Sequence, residues 1–312
     1  MNSEILVVGS YVTDVMGRGP KIPVVGETVK GSYFKIGPGG KGANQAVAAA
    51  RAGGKTAMIA KVGKDDFGEM ALQNFRKEKI NTVGLMTSET FQTGIALILV
   101  NDKTGDNSIL VVPGACEHLD KPEITDSMLK FRHAKALLLQ YEINLEAILQ
   151  SLDTAAAMGL TVICNPAPAM MIPEKYYSLI DFFTPNETEA EFLTGIRIDS
   201  PEDAKKAAKL LCGKGIKNVV ITMGSKGSFI YNRIGTESYI PAFKVDVIDT
   251  TGAGDAFNGA FAVALVEGKA IVDATKFATA AAALSVTKIG TAIAMPQRDE
   301  IEAFLVGKSR EA

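Results

Sequence analysis

Short apolar runs alternate along this chain with amphipathic stretches. Residues 5–9, 57–62, Ala136–Gln140, Thr161–Asn165, 182–184 and 219–223 are too short for helices and predict buried strands. Residues 43–53 and 67–78 carry apolar side chains at helical spacing, and a helical segment is expected between successive strands. Strands that are apolar on both faces, with helices between them, are parallel strands covered on both sides. The expected fold is therefore α/β: a central, mostly parallel sheet with helices on both faces.

Two segments break the rhythm. Residues 11–36 and about 91–112 hold Gly, Pro and alternating β-formers without a helical period. Within them residues 28–34, 94–100 and 108–112 read as strands, and residues 102–106 as a polar turn. They predict a small β-sheet inserted at one edge as a lid. The Ala-rich stretch 274–286 favours close helix packing. At 312 residues, all of this is expected to form one α/β domain, residues 1–312.

Charge narrows the partners. Against 33 Lys and Arg stand 35 Asp and Glu, which offers no basic field for nucleic acid or an anionic membrane. No apolar run is long enough to span a bilayer, and the N-terminal residues lack a secretion signal. Cys116, Cys164 and Cys212 are odd in number and far apart, as suits free thiols in the cytoplasm. His118 and His133 are the only histidines, so catalysis is expected to rest on a carboxylate.

Asp249-Thr250-Thr251-Gly252-Ala253-Gly254-Asp255-Ala256-Phe257-Asn258-Gly259 places small residues before a predicted helix at about 253–267. Free N–H groups at such a start form an anion site, and Asp255 would stand beside it as a base, the pair that phosphoryl transfer requires. Otherwise Asp255 only favours a helix start. Gly37-Pro38-Gly39-Gly40-Lys41-Gly42-Ala43-Asn44-Gln45 lets backbone approach a ligand. It reads as a sugar-binding loop, a plain turn, or the G-x-G-x-x-G of a dinucleotide fold and hence an NAD-type oxidoreductase. Asn186 and Glu189, one helical turn apart, suit Mg²⁺ through its waters or a capping box. Asp14 and Glu142 fall at carboxyl ends of strands, where α/β sheets bind ligands, and Thr222-Met223-Gly224-Ser225-Lys226-Gly227 follows another such strand.

Together these strings resemble the ribokinase family of carbohydrate kinases, over essentially the whole chain. The segments 39–46 and 249–259 look like its two signatures, and Asn165-Pro166-Ala167-Pro168-Ala169 and residues 184–189 like its ribokinase branch. The resemblance implies ATP-dependent phosphorylation of the 5-hydroxymethyl group of D-ribose or a related pentose. It implies Asp255 as base, an anion hole at Gly252, Ala253 and Gly254, and a sugar site of Asp14, Gly40, Lys41, Asn44 and Glu142. Asn186 and Glu189 would organise Mg²⁺; Asn186, Thr222, Gly224, Ser225, Lys226, Gly227 and Thr279 would face the nucleotide. Asp249 and the carbonyls of Thr251, Ser285, Lys288 and Gly290 would hold K⁺, and the lid would form a homodimer interface. Three positions depart from the pattern: Val12 in place of an Asn that touches the sugar, Thr279 in place of a His, and Ala294 in place of a Ser at the cation site. Val12 leaves 2-deoxyribose, or another furanose or nucleoside, open as the substrate.

Overall fold

The structure is a computed structural model that describes residues 3–311. Its first half runs β1 (Ile5–Val8), β2 (Val12–Gly19), β3 (Tyr33–Gly39), α1 (Lys41–Arg51), β4 (Thr56–Gly63), α2 (Asp66–Lys77), β5 (Asn81–Ser88), β6 (Thr93–Asn101), β7 (Asn107–Gly114), α3 (Lys121–Leu129), β8 (Ala136–Gln140) and α4 (Leu145–Met158). The second half adds β9 (Thr161–Asn165), β10 (Phe182–Phe183), α5 (Glu187–Thr194), α6 (Pro201–Gly213), β11 (Asn218–Thr222), β12 (Ser228–Asn232), β13 (Glu237–Ile240), α7 (Ala253–Val266), α8 (Ile271–Ser285) and α9 (Arg298–Glu311).

The apolar runs become the middle of a nine-stranded sheet in the order β13-β12-β11-β10-β9-β8-β1-β4-β5. From β11 to β5 every pairing is parallel, while β12 and β13 are antiparallel at one edge. β1 and β8 are buried residue by residue, as central strands covered by helices must be. Period-2 alternation splits their side chains between two cores. Leu6 and Val8 join the α3–α4 side, whereas Ile5 and Val7 join the α1–α7–α8 side. Among the described residues no helix is long and apolar enough to cross a membrane.

The second sheet, β3-β2-β6-β7, has four strands. It differs from expectation at its borders. β3 begins only at Tyr33 and runs on to Gly39, so the alternation at 28–32 yields no strand and three residues of the Gly-rich string lie inside one. Four strands were not expected: β2 in the small sheet, and β5, β12 and β13 at or next to the edges of the large one, where one-sided burial weakens the apolar signal. Between β9 and β10 the expected helix is a 3₁₀ turn at Glu174–Leu179.

α1 and α7 lie side by side on one face, and small residues permit it. A Cβ on Gly259 would stand 2.5 Å from Ala48 Cβ and 2.6 Å from the Ala49 nitrogen, closer than real carbons come. Gly259→Ala is therefore expected to push the helices apart and to cost roughly 1–3 kcal/mol, the usual penalty for overpacking. Denaturant unfolding of both proteins measures it; an unchanged midpoint would show that the helices are not in register here.

Candidate active site

The large sheet ends its parallel strands along one edge, and the loops there meet the starts of α1, α5 and α7. α1 opens against the loop after β1, where the Ala43 nitrogen donates to the Ser10 carbonyl at 2.9 Å. Glu142, just beyond β8, closes this junction. Its Oε2 accepts from Ser10 Oγ at 2.5 Å and from the Lys41 nitrogen at 2.7 Å. A carboxylate at a helix N-terminus is favourably placed against the helix dipole.

Asp255 stands in the first turn of α7 and is only 7% exposed. Asn44 Nδ2 donates to its Oδ2 and Gln45 Nε2 to its Oδ1, both at 3.0 Å. Burial pushes its carboxyl above the ordinary range, with Glu142 adding to the rise. The Lys41 charge and the bonds from Gln45 and Asn44 act in the opposite direction. Asn44 Oδ1 is buried without a hydrogen-bond partner, an acceptor left over for a ligand hydroxyl.

Beside Asp255 is a polar cavity of about 160 Å³ lined by Lys41, Asn165, Asn186, Glu189, Thr222, Gly252, Gly254 and Asn258 among others. At about 30 Å³ per water it has room for roughly five, enough for a phosphoryl group but not a whole nucleotide. Gly252 caps α7 with φ 80°, a left-handed conformation that costs glycine little. The first turn leaves N–H groups facing outward. Of the expected anion hole, the Ala253 nitrogen bends back to the Thr250 carbonyl at 3.2 Å.

Asn186 and Glu189 form the full capping box. Asn186 Oδ1 accepts from the Glu189 nitrogen at 2.8 Å, and Glu189 Oε2 accepts from the Asn186 nitrogen at 2.8 Å. Glu189 nonetheless borders the cavity, and burial raises its carboxyl above the usual range, Asp255 adding to the rise and Asn186 and Lys41 opposing it. Among the described residues no group of three or more His, Cys, Asp or Glu is arranged as a metal site. A single carboxylate beside an amide fits an ion that keeps its own waters.

A second cleft of about 700 Å³ lies between the small sheet and the loops around Asp249 and Thr291. Asp14, Met16 and Arg18 of β2 and Lys35 of β3 face it. Val12 has the same parity as Asp14 but is 4% exposed and does not border the cleft. Lys35, Thr291 and Gln45 carried no assignment from sequence; the first two lie far along the chain from Asp14, and only folding joins them.

The remaining residues are spread more widely. Gly224–Lys226 forms a 3₁₀ turn after β11, and Gly227 follows with φ 92°. Lys226 pairs with Glu187 and reaches the Asp199 carbonyl. Thr279 borders neither cavity, and its hydroxyl donates to the Thr275 carbonyl of its own helix at 2.8 Å. Asp249 accepts from the nitrogens of Thr251 and Gly290 at 2.9 and 3.0 Å; these bonds outweigh burial and hold its carboxyl below the usual range. The Ser285 carbonyl accepts from the Lys288 nitrogen, Lys288 pairs with Glu300, and Ala294 is buried.

The G-x-G-x-x-G reading fails on topology. Gly37 and Gly39 belong to β3, an antiparallel strand of the small sheet, and not to the turn after a parallel strand of the large one. Asp65, beyond the next strand, caps α2 and accepts from the Thr93 nitrogen at 2.7 Å.

The pattern of the pfkB family carbohydrate kinases matches residues 2–298. A ribokinase of Haemophilus influenzae is 42% identical, with 98% of this chain and 99% of that protein aligned. A deoxyribokinase of Salmonella typhi is 38% identical over 97% and 98%. Among solved structures, a ribokinase of Arabidopsis thaliana complexed with ribose and ATP superposes with a TM-score of 0.90 at 31% identity, covering 98% of this chain and 99% of that one.

The acid cluster has a measurable consequence. Asp14 is raised to about 7 by burial first and by Glu142 next, with Thr291 and Lys35 opposing. A carboxyl raised above its unfolded value lends stability that is full below the unfolded value and lost as pH rises through the folded one. The window here runs from 3.8 to about 7. Asp14→Asn, which cannot ionise, should raise the Tm of the sugar-free protein at about pH 8 and much less at about pH 4. Equal shifts at both would mean that Asp14 is not perturbed.

Proposed function

This chain belongs to the pfkB family of carbohydrate kinases, and we propose from that premise that it moves the γ-phosphoryl of ATP to the 5-hydroxymethyl oxygen of D-ribose. It is a phosphotransferase that acts on a sugar hydroxyl. The observation that carries the reading is the buried Asp255 carboxylate at the start of α7, bordering a polar cavity with the unpartnered Asn44 Oδ1 beside it. The sugar lies between Asp14, Asn44 and Glu142 with Gly40 and Lys41, its reacting hydroxyl on Asp255. As the oxygen bonds to phosphorus and the bond to ADP breaks, the hydroxyl proton passes to Asp255. The N–H groups of Gly252 and Gly254 and the Lys41 ammonium take up charge on the phosphoryl oxygens, the Ala253 N–H being turned back to the Thr250 carbonyl. The nucleotide extends from this cavity past Thr222 and the Gly224–Lys226 turn toward Gly227 and α8, the helix of Thr279.

Asn186 and Glu189 would hold Mg²⁺ through its waters, and the ion would supply charge that offsets that of the phosphates. Asp249, with the carbonyls of 251, 285, 288 and 290, would hold K⁺; Ala294 offers no hydroxyl to it. The small sheet acts as a lid that closes over the sugar and excludes water. Three buried free thiols suit the cytoplasm. A second reading, 2-deoxyribose, is supported by the 38% identity to a deoxyribokinase; Val12, which the resemblance sets at the sugar, is buried and borders neither cavity.

The test is ADP release from ribose, 2-deoxyribose, fructose and adenosine, with K⁺ against Na⁺ at fixed ionic strength. Ribose should give the highest kcat/KM, K⁺ should raise kcat, and Asp255→Asn should lower kcat by roughly 10²–10⁴. A variant retaining more than about a tenth of the parent rate would refute the base assignment, being well short of that loss.

The outer face of the small sheet supports pairing with a second copy. Phe34, Ile36, Leu97, Leu99, Leu110 and Val112 share the face turned from the cleft, Phe34 and Leu110 being 73% and 60% exposed. A two-fold axis would bury this face on itself. Sedimentation equilibrium should give a dimer, and Leu110→Lys a monomer; a monomeric parent at micromolar concentration would exclude this interface.

A further inference from the structure

Beneath Asp255 runs a chain of buried carboxamides that no role above uses. Gln45 is fully buried, and its Nε2 donates to Asp255 Oδ1 at 3.0 Å and to Asn165 Oδ1 at 2.9 Å. Its Oε1 accepts from Gln140 Nε2 at 2.7 Å. Asn165 Nδ2 in turn donates to the Thr184 carbonyl at 3.1 Å. An amide NH₂ has two hydrogens, and Gln45 spends both.

The direction of every bond follows from Asp255. An ionised carboxylate only accepts, so Gln45 must turn its NH₂ toward it. That leaves Oε1 facing Gln140, which must donate. Turning Gln45 over would set its oxygen against Asp255 and its NH₂ against that of Gln140. Gln140 and Asn165 end β8 and β9, two neighbouring strands of the large sheet. The carboxylate on α7 is thus referenced through α1 to the rigid core. A residue serving packing alone would not need both donors aimed at carbonyl-type oxygens.

We propose that Gln45 is a positioning residue for the phosphoryl transfer: it holds Asp255 Oδ1 from the buried side as Asn44 Nδ2 holds Oδ2 at 3.0 Å, and the two bonds together fix the carboxylate that meets the sugar hydroxyl. The proposal rests on Asp255 being the base. Gln45 acts on it in two ways. It fixes the carboxylate's rotation about its Cβ, and its donated bond opposes the effect of burial on the carboxyl. Gln140 and Asn165 act one step further back, by holding Gln45.

Gln45→Met keeps the volume and removes both donors. Losing a hydrogen bond to a charged group corresponds to a kcat about 10- to 100-fold lower at pH 7, with the sugar KM changed by less than about threefold. The acidic limb of the kcat–pH profile should move to higher pH, because Asp255 then holds its proton more tightly. Gln140→Met, which leaves the Gln45 donors in place, should shift the limb the same way by less. In an Asp255→Asn background Gln45→Met should cost nothing further, since its target is gone. An equal loss in both backgrounds, or a lower kcat with an unmoved limb, would mark Gln45 as structural and overturn the proposal. Should Gln45→Met fail to fold by circular dichroism, Gln140→Met carries the pH reading alone, a moved limb supporting and an unmoved limb overturning it. Asp255→Asn measured alone separates the two claims: if it keeps more than a tenth of the rate, the base assignment fails and takes this one with it.

Discussion

The close approach of α1 to α7 is the constraint on which the site depends. Gly259 meets Ala48 and Ala49 with no space for a β-carbon, so the two helices lie nearer than larger side chains would allow. One turn before Gly259 is Asp255, and one turn before Ala48 are Asn44 and Gln45. The packing thereby sets a carboxylate against two carboxamides far apart in sequence. Without that contact the carboxylate would face either solvent, where it is a weak base, or apolar surface, where it would stay protonated.

The same geometry concentrates acids. Asp14, Glu142, Glu189 and Asp255 all border or approach the two cavities, and three of them are raised above the carboxylate range. Such a group is poorly disposed toward the triphosphate of ATP unless positive charge accompanies it. Lys41, acting on both Asp255 and Glu189, and the N-terminal end of α7 are the chain's own compensation. An ion brought with the nucleotide would supply the rest. Burial that raises a base's affinity for protons is useful only if amide donors stop it short of permanent protonation. Around Asp255 burial acts in one direction and the amide donors of Gln45 and Asn44 in the other.

How far the sequence foretold this depends on which physical signal each residue left. Buried parallel strands such as Ala136–Gln140 were legible to the residue, because burial on both faces writes a continuous apolar run. The edge strands β5 and β13 were not, since few of their residues are buried. Asp255 and Asn44 were legible through the short strings that hold them, but their contact was not: it spans 211 positions. For Asn186 and Glu189 the capping box is complete, and its carboxylate also borders the cavity. Gln45 stood within the Gly-rich string and drew no notice. A Gln in an otherwise small and apolar helix face is the kind of buried polar residue that demands partners, and that signal was available.

The small sheet extends the argument to a second use of one pattern. In β2 and β3 alternate residues turn to opposite faces, so Asp14, Met16 and Lys35 border the cleft while Phe34 and Ile36 face outward. A shift of β3 by one residue against β2 would turn Phe34 into the cleft and Lys35 out of it. The side chains that line the cleft and the apolar outer surface are thus not independent features that one sheet happens to carry. If two copies pair through that surface, as proposed, each outer face stiffens the twist of the sheet that presents Asp14. The sugar would then be bound by a wall whose shape is set partly from the other side, across a single layer of backbone.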